Sequence, residues 1–194
     1  MSLRKYEFIP NDTIIITYQY EKYRYKKVVL RRIVSTENFY KGKGIIGGHI
    51  ESESNLSHDG NCWVGNKAMV FGNAKICDGA LVFGNAMVCD DATVLGRAKI
   101  YNYAQILDST KVYDNARIFN FAQIYDHTKA YDHAEIFGHA QVYGDALIYE
   151  GAQVYDHAKV YDYAQVYGNA KVYNAHDGYD MKVCLNYHVD SGID

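Results

Sequence analysis

The chain has 194 residues, with 20 Lys and Arg against 23 Asp and Glu, and 20 Tyr against a single Pro. The net charge of −3 excludes the broad basic footprint of a phosphate-backbone binder and the strongly acidic surface of a nucleic-acid mimic. No apolar run is long enough for a membrane span and no leader pattern begins the chain, so membrane association is not predicted. The four Cys show no metal-ligand spacing, which favours reduced thiols and a cytoplasmic location.

Residues 1–45 are predicted to form an N-terminal β-hairpin region. Residues 13–18 are rich in β-branched and aromatic side chains, Glu21 and Lys22 suit a turn, and residues 25–34 provide a returning strand. An isolated hairpin is marginally stable in water, so we expect this one to dock on the rest of the protein. Its basic residues are interpreted as a solvated face, and a nucleic-acid partner is not expected.

Residues 46–67 are predicted to form a Gly-rich cap and a first, irregular coil. Cys62 and Val64 already share the register of the repeat that follows, so the repeat begins imperfectly here. His49 and His58 are interpreted as turn residues of this cap.

Residues 68–174 consist of a six-residue repeat without insertion. Ala or Thr occupies the first position in all 18 hexads, Val or Ile follows two residues later except at Ala130, and an aromatic residue comes next in 14 of the 18. A two-residue alternation followed by Gly, Asp or Asn predicts a short strand and a corner every six residues. Three such strands close a triangular coil, so the sequence predicts an all-β parallel β-helix of about six coils, followed by a C-terminal cap or tail at 175–194.

These hexads resemble those of hexapeptide-repeat proteins, and the resemblance implies a left-handed parallel β-helix. The strings GGHI at 47–50, NLS at 55–57 and GNCWV at 60–64 are also similar to the YdcK-like bacterial and prophage proteins of that group. That family is often described as putative transferases on the basis of fold. The resemblance implies a bacterial or phage origin.

Residues 18 apart should stack in adjacent coils, and this places the aromatic residues in three columns. Tyr side chains provide contact area at low entropic cost, so these columns are the predicted binding surface. The Tyr residues in them are Tyr101, Tyr113, Tyr125, Tyr131, Tyr143, Tyr149, Tyr155, Tyr161, Tyr167 and Tyr173.

Two further columns carry candidate chemistry. His139 and His157 should stack directly, below Tyr103 and Phe121, and are the candidate catalytic pair. Asp90, Asp108 and Asp126 share one edge and form a candidate cation site, although Asp is also a preferred residue in the turns predicted there.

The sequence predicts a non-catalytic binding or scaffold protein that acts through its Tyr-lined faces and needs no cofactor. A protein partner or self-association is expected, with a glycan as the further class. The alternative is an acyltransferase, because many hexapeptide-repeat proteins use CoA or acyl carrier protein and a His general base. Against it, the repeat has no loop insertion and carries an aromatic residue where those enzymes commonly have Gly.

Overall fold

The computed structural model describes residues 4–21, 24–37, 39, 41–174 and 181–184. Within these ranges the protein is almost entirely β-structure, and the one short helical element is the 3-10 turn Glu53–Asn55. The N-terminal hairpin consists of β1 (Tyr6–Glu21) and β2 (Arg24–Ser35), which pair in antiparallel fashion. The predicted hairpin is confirmed, and both strands are longer than the sequence indicated because pairing continues past a bulge between Phe8 and Thr13.

Apart from one antiparallel strand at the C-terminal end, the remaining strands form a parallel β-solenoid of about seven turns, and each coil contributes one strand to each of three sheets. Face A contains β3 (Ile46–Ile50), β5 (Met69–Val70), β8 (Met87–Val88), β11 (Gln105–Ile106), β14 (Gln123–Ile124), β17 (Gln141–Val142) and β20 (Lys159–Val160). Face B contains β4 (Trp63–Val64), β7 (Leu81–Val82), β10 (Lys99–Ile100), β13 (Arg117–Ile118), β16 (Glu135–Ile136), β19 (Gln153–Asp156) and β22 (Lys171–Asn174). Face C contains β6 (Lys75–Ile76), β9 (Thr93–Val94), β12 (Lys111–Val112), β15 (Lys129–Ala130), β18 (Leu147–Ile148) and β21 (Gln165–Val166).

The register between coils is 18 residues, as the hexads predict. Ile106 pairs with Ile124 and Val88 with Ile106 on face A, and the other faces follow the same rule. The extra turn comes from the irregular first coil, where β3 pairs with β5 and β4 with β7. At the other end, β23 (Met181–Cys184) pairs antiparallel with β22, within the segment predicted to form a C-terminal cap or tail.

The core is a narrow column of inward-facing side chains. The Ala or Thr and the Val or Ile of each hexad between residues 68 and 154 are completely buried. Thr128 and Ala130 belong to one hexad, in which the larger side chain stands at the first inward position and the smaller one at the second. Since Thr and Val are nearly isosteric, this hexad fills about the same core volume as an Ala–Val hexad.

The hairpin lies against the first coils of face A. Val28 and Leu30 of β2 pack with Phe71 and Cys89, while Met69, Met87 and Leu107 join from the solenoid side and Ile14, Ile16 and Tyr18 from β1. The Tyr18 hydroxyl donates a hydrogen bond of 2.5 Å to the Asp90 carboxylate at the adjacent corner. The hairpin therefore covers the N-terminal part of face A and ends near Leu107.

Candidate functional site

The three predicted aromatic columns are present as continuous stacks of rings. Adjacent rings are 4.9–5.4 Å apart between centroids and parallel within 15°. Because each interior ring of a column turns both faces towards the rings of neighbouring coils, these interior rings present mainly their edges to solvent. Burial raises the pKa of Tyr113 and Tyr131, so these hydroxyls remain protonated donors at neutral pH.

A fourth ring column stands on face A and consists of Tyr103, Phe121, His139 and His157. Their centroids are separated by 5.1, 4.9 and 4.9 Å in chain order. Tyr103 and Phe121 are about half exposed, at 53% and 49% of their surface. The sequence predicted this stack correctly, and the structure shows that it forms one wall of a groove.

The groove has a volume of about 570 Å³ and runs along the solenoid axis. A column of Gln105, Gln123 and Gln141 forms its floor, on strands β11, β14 and β17. Asn85 and Lys159 complete the lining. The strand alternation explains the arrangement: the residues before and after each inward Ala both point outwards, so one supplies the wall and the other the floor.

The three glutamines form a ladder of amide hydrogen bonds. Gln123 donates to Gln105 Oε1 at 3.2 Å, and Gln141 donates to Gln123 Oε1 at 3.1 Å. A primary amide carries two N–H donors, and the ladder uses only one of them per residue. The floor therefore presents a row of amide N–H donors and carbonyl acceptors that repeats at the spacing of the coils.

The groove is rich in donors and lacks carboxylates. Its described lining combines four amides, the Tyr103 hydroxyl, two imidazoles and the Lys159 ammonium, with no Asp or Glu among them. Aromatic ring edges also carry partial positive charge. Because Lys159 is the one formally charged side chain of this described lining, the groove is suited to a polar ligand that carries acidic groups.

His139 and His157 are brought together, but their geometry does not suit a shared metal ion. In two parallel rings 4.9 Å apart, equivalent nitrogens are separated by about the same distance. Two nitrogens bound to one Zn²⁺ can be at most about 4.2 Å apart. The described residues also contain no group of three or more His, Cys, Asp or Glu that could hold a metal.

The predicted acidic column of Asp90, Asp108 and Asp126 lies at one corner with left-handed backbone, at φ of 59°, 54° and 61°. Each carboxylate accepts a backbone N–H from the next coil: Asp90 from Asp108 at 3.4 Å, Asp108 from Asp126 at 3.1 Å and Asp126 from Gly144 at 2.9 Å. The column thus forms turns and fastens one coil to the next. The cation site remains a prediction.

Of the two histidines of the N-terminal cap, His49 is buried in a strand rather than placed in a turn, whereas His58 is half-buried and lies in a bend. His49 lies on β3 and is 4% exposed, with its nearest ionic partner, Asp12, at 3.8 Å. His58 stacks on Tyr6 at 4.3 Å between centroids. Burial lowers the pKa of both imidazoles, and Arg32 adds to this effect at His49.

Three basic residues of the hairpin contact other groups of the protein, whereas Lys27 is exposed. Arg32 pairs with Asp12 at 3.1 Å, and Lys26 lies 3.8 Å from Glu51. The Arg31 guanidinium lies 3.7 Å above the centre of the Phe8 ring. Lys22 lies outside the described residues. These contacts give the three cations a structural role.

The glutamine floor was missed by the sequence reasoning, although a signal existed. The strand alternation predicts only that the residue after each Ala faces outwards. Taken in steps of 18 from residue 69, this position contains Met, Met, Gln, Gln, Gln and Lys. The change from Met to Gln marks the transition from the covered to the uncovered part of face A.

Comparison with known proteins supports the repeat architecture. Residues 140–156 match the model of the YdcK beta solenoid repeat, a stretch almost one coil long. No curated protein matches the sequence. Among the described residues, no helix is long and apolar enough to span a membrane. The chain is a β-solenoid repeat protein, similar over this one coil to the YdcK repeat.

Proposed function

We propose that this protein is a non-catalytic binding module whose ligand lies in the groove on face A. The observation that carries the proposal is the donor-rich groove of about 570 Å³, which the fold builds from two regular columns. A rigid solenoid places these donors at fixed spacing, so the ligand does not have to order the site on binding. The other Tyr columns, whose interior rings expose mainly their edges, contribute mainly to the stiffness of the scaffold.

The ligand that best fits the groove is an extended, acidic polypeptide segment. Carbonyl and carboxylate oxygens would accept from the glutamine row, the imidazoles and Lys159. Sugar rings prefer to pack on exposed aromatic faces, but the faces in this column are turned towards each other. We therefore favour a protein partner over a glycan, and a cytoplasmic setting follows from the reduced thiols expected for this sequence.

Selection from a displayed library of short peptides tests the proposal. Acidic peptides should be enriched on the wild-type protein, and the Lys159→Glu variant should lose most of that enrichment. Lys129→Glu is the matched control, because Lys129 is also exposed and occupies the same hexad position, after Thr128, but lies on face C. Peptides that are basic, or that bind wild type and Lys159→Glu equally, would contradict the proposal.

An acyltransferase is the second candidate, because the predicted histidines lie in this groove. His139 or His157 would act as general base and CoA or acyl carrier protein would supply the acyl group. The described contacts of His139 are two ring stacks, so no carboxylate orients its imidazole as in a typical base. Titration calorimetry with acetyl-CoA distinguishes the two: a signal abolished by His139→Ala would favour the enzyme, and no heat would favour the binding module.

A further inference from the structure

Strand β1 forms the outer edge of the nine-stranded sheet that includes face A. Its only strand partner among the described residues is β2. Residues 13–18 make no other backbone hydrogen bond within the described part of the chain. Alternate N–H and C=O groups of this segment therefore point away from β2, along an edge that can accept a further strand.

Residues 13–18 of this edge lack the features that usually protect edge strands. Pro10 and Asp12 precede the segment, next to the bulge, but residues 13–18 contain no charge and no proline. They are instead Thr, Ile, Ile, Ile, Thr and Tyr, the residue types most favoured in strands. Native proteins usually block an edge of this kind or pair it.

The outward side of the hairpin next to this edge is apolar. Ile15 is 68% exposed and Val29, directly opposite it on β2, is 51% exposed. Ile14 and Ile16 face the other way and pack with the hairpin core. A further strand paired with β1 would bring its own apolar side chains to the exposed side of the hairpin, where Ile15 and Val29 lie.

We propose that β1 pairs antiparallel with β1 of a second copy of this chain, about a two-fold axis at Ile15. This inference concerns the edge opposite the solenoid and does not depend on the groove. It commits to a dimer with one sheet running through both copies.

The segment is complementary to itself in this register. With Ile15 opposite Ile15 of the second copy, Thr13 faces Thr17 and Ile14 faces Ile16. In this register each pair joins two odd-numbered or two even-numbered residues. Side chains on the outward face of one copy therefore lie beside outward-facing side chains of the other copy. Thr–Thr and β-branched pairs stabilise antiparallel sheets, and no two like charges meet. A closed two-fold arrangement also uses both edges once, which limits association to a dimer.

Sedimentation equilibrium of the full chain tests the pairing. Wild type should be a dimer, and Ile15→Lys should raise the dissociation constant at least about tenfold, because the two-fold axis brings two ammonium groups together. Val29→Lys is the matched control: it adds the same charge to the same face, one strand away from the edge, and should dimerise more strongly than Ile15→Lys. Circular dichroism verifies that both variants are folded.

Mixing two variants tests the register itself. Ile15→Lys and Ile15→Glu should each be mainly monomeric, and an equimolar mixture should regain the dimer because Lys then faces Glu. A monomeric wild type, or an Ile15→Lys variant that dimerises like wild type, would overturn the proposal. A mixture that remains monomeric would overturn the two-fold axis at Ile15.

Discussion

The covered and uncovered parts of face A have the same backbone and the same interior but opposite outer surfaces. Under the hairpin, the outward residues are Met69, Phe71, Met87, Cys89 and Leu107, which pack into a second apolar cluster. Further along, the same positions carry Gln123, Gln141, Lys159 and stacked tyrosines. The inward hexad positions fix the fold, whereas the outward positions determine what may lie on it. A repeat protein can therefore change its surface from an internal docking site to a groove without altering its core.

The largest effect is expected where the hairpin is buried. Leu30→Ala should reduce the free energy of unfolding by about 2–5 kcal/mol, because it leaves a cavity in the apolar cluster of the covered stretch. Leu30 is completely buried, whereas Val29, its neighbour on the same strand, is half exposed. Val29→Ala should change stability by no more than about 0.5 kcal/mol. Urea denaturation measures both, and equal losses would show that the hairpin is not docked as described.

The sequence predicted the solenoid well because its interior repeats with one period. Ala68, Val70 and their equivalents are buried as expected, and even the irregular Cys62 and Val64 point inwards. The hairpin strands were predicted from composition, but their docking site was not. That site is encoded in residues that depart from the repeat, such as Cys89 and Leu107, and a departure from a pattern does not reveal its partner.

The candidate site was predicted only in part, for a related reason. The stack of His139 on His157 follows from a step of 18 residues, and the structure places the rings 4.9 Å apart. The glutamine ladder depends on side-chain rotamers and on where the hairpin ends, and neither follows from the repeat. The carboxylates of Asp108 and Asp126 had two chemically reasonable uses, and only the hydrogen-bond geometry shows that both bind backbone N–H groups.

A double-mutant cycle tests the packing of the solenoid interior, which the covered and the uncovered parts of face A have in common. Ala130→Val alone should destabilise the protein by about 1–3 kcal/mol, because it overpacks a coil that already contains Thr128. Thr128→Ala with Ala130→Val restores the usual hexad, so the double variant should be close to wild type in stability. Strictly additive losses, measured by urea denaturation, would contradict the conserved core volume.

Exchanging outward residues between the covered and the uncovered parts of face A should lower the stability of the protein in both directions. Met87→Gln places an amide under the hairpin and should cost about 1 kcal/mol, at the lower end for an unpaired buried amide, since Met87 is only partly buried. Gln123→Met removes both ladder bonds and should cost about 1 kcal/mol for each. Thermal denaturation of the two variants measures these costs, and a gain in stability from either exchange would show that the outward residues are not matched to their cover.

The smallest expected effect is a sensitivity of the hairpin end to acid. Burial lowers the pKa of His49 and His58 in the folded protein, so below the unfolded value of about 6.5 the unfolded chain binds more protons. The contribution of these two neutral imidazoles to the free energy of unfolding is fully present above that pH. It is lost as the pH falls towards the pKa values of the folded protein. Urea unfolding at pH 7.5 and 5.5 should show this loss, and His58→Gln should reduce it. An unchanged pH slope in that variant would exclude His58 as a source.

The most direct test of the central claim is hydrogen–deuterium exchange with a selected acidic peptide bound. We predict slower exchange in the residues that form the groove, at 103–107, 121–125, 139–143 and 157–160, and no change on faces B and C or in the hairpin. Protection confined to another face, or to the hairpin, would contradict the conclusion that the uncovered part of face A is the binding site.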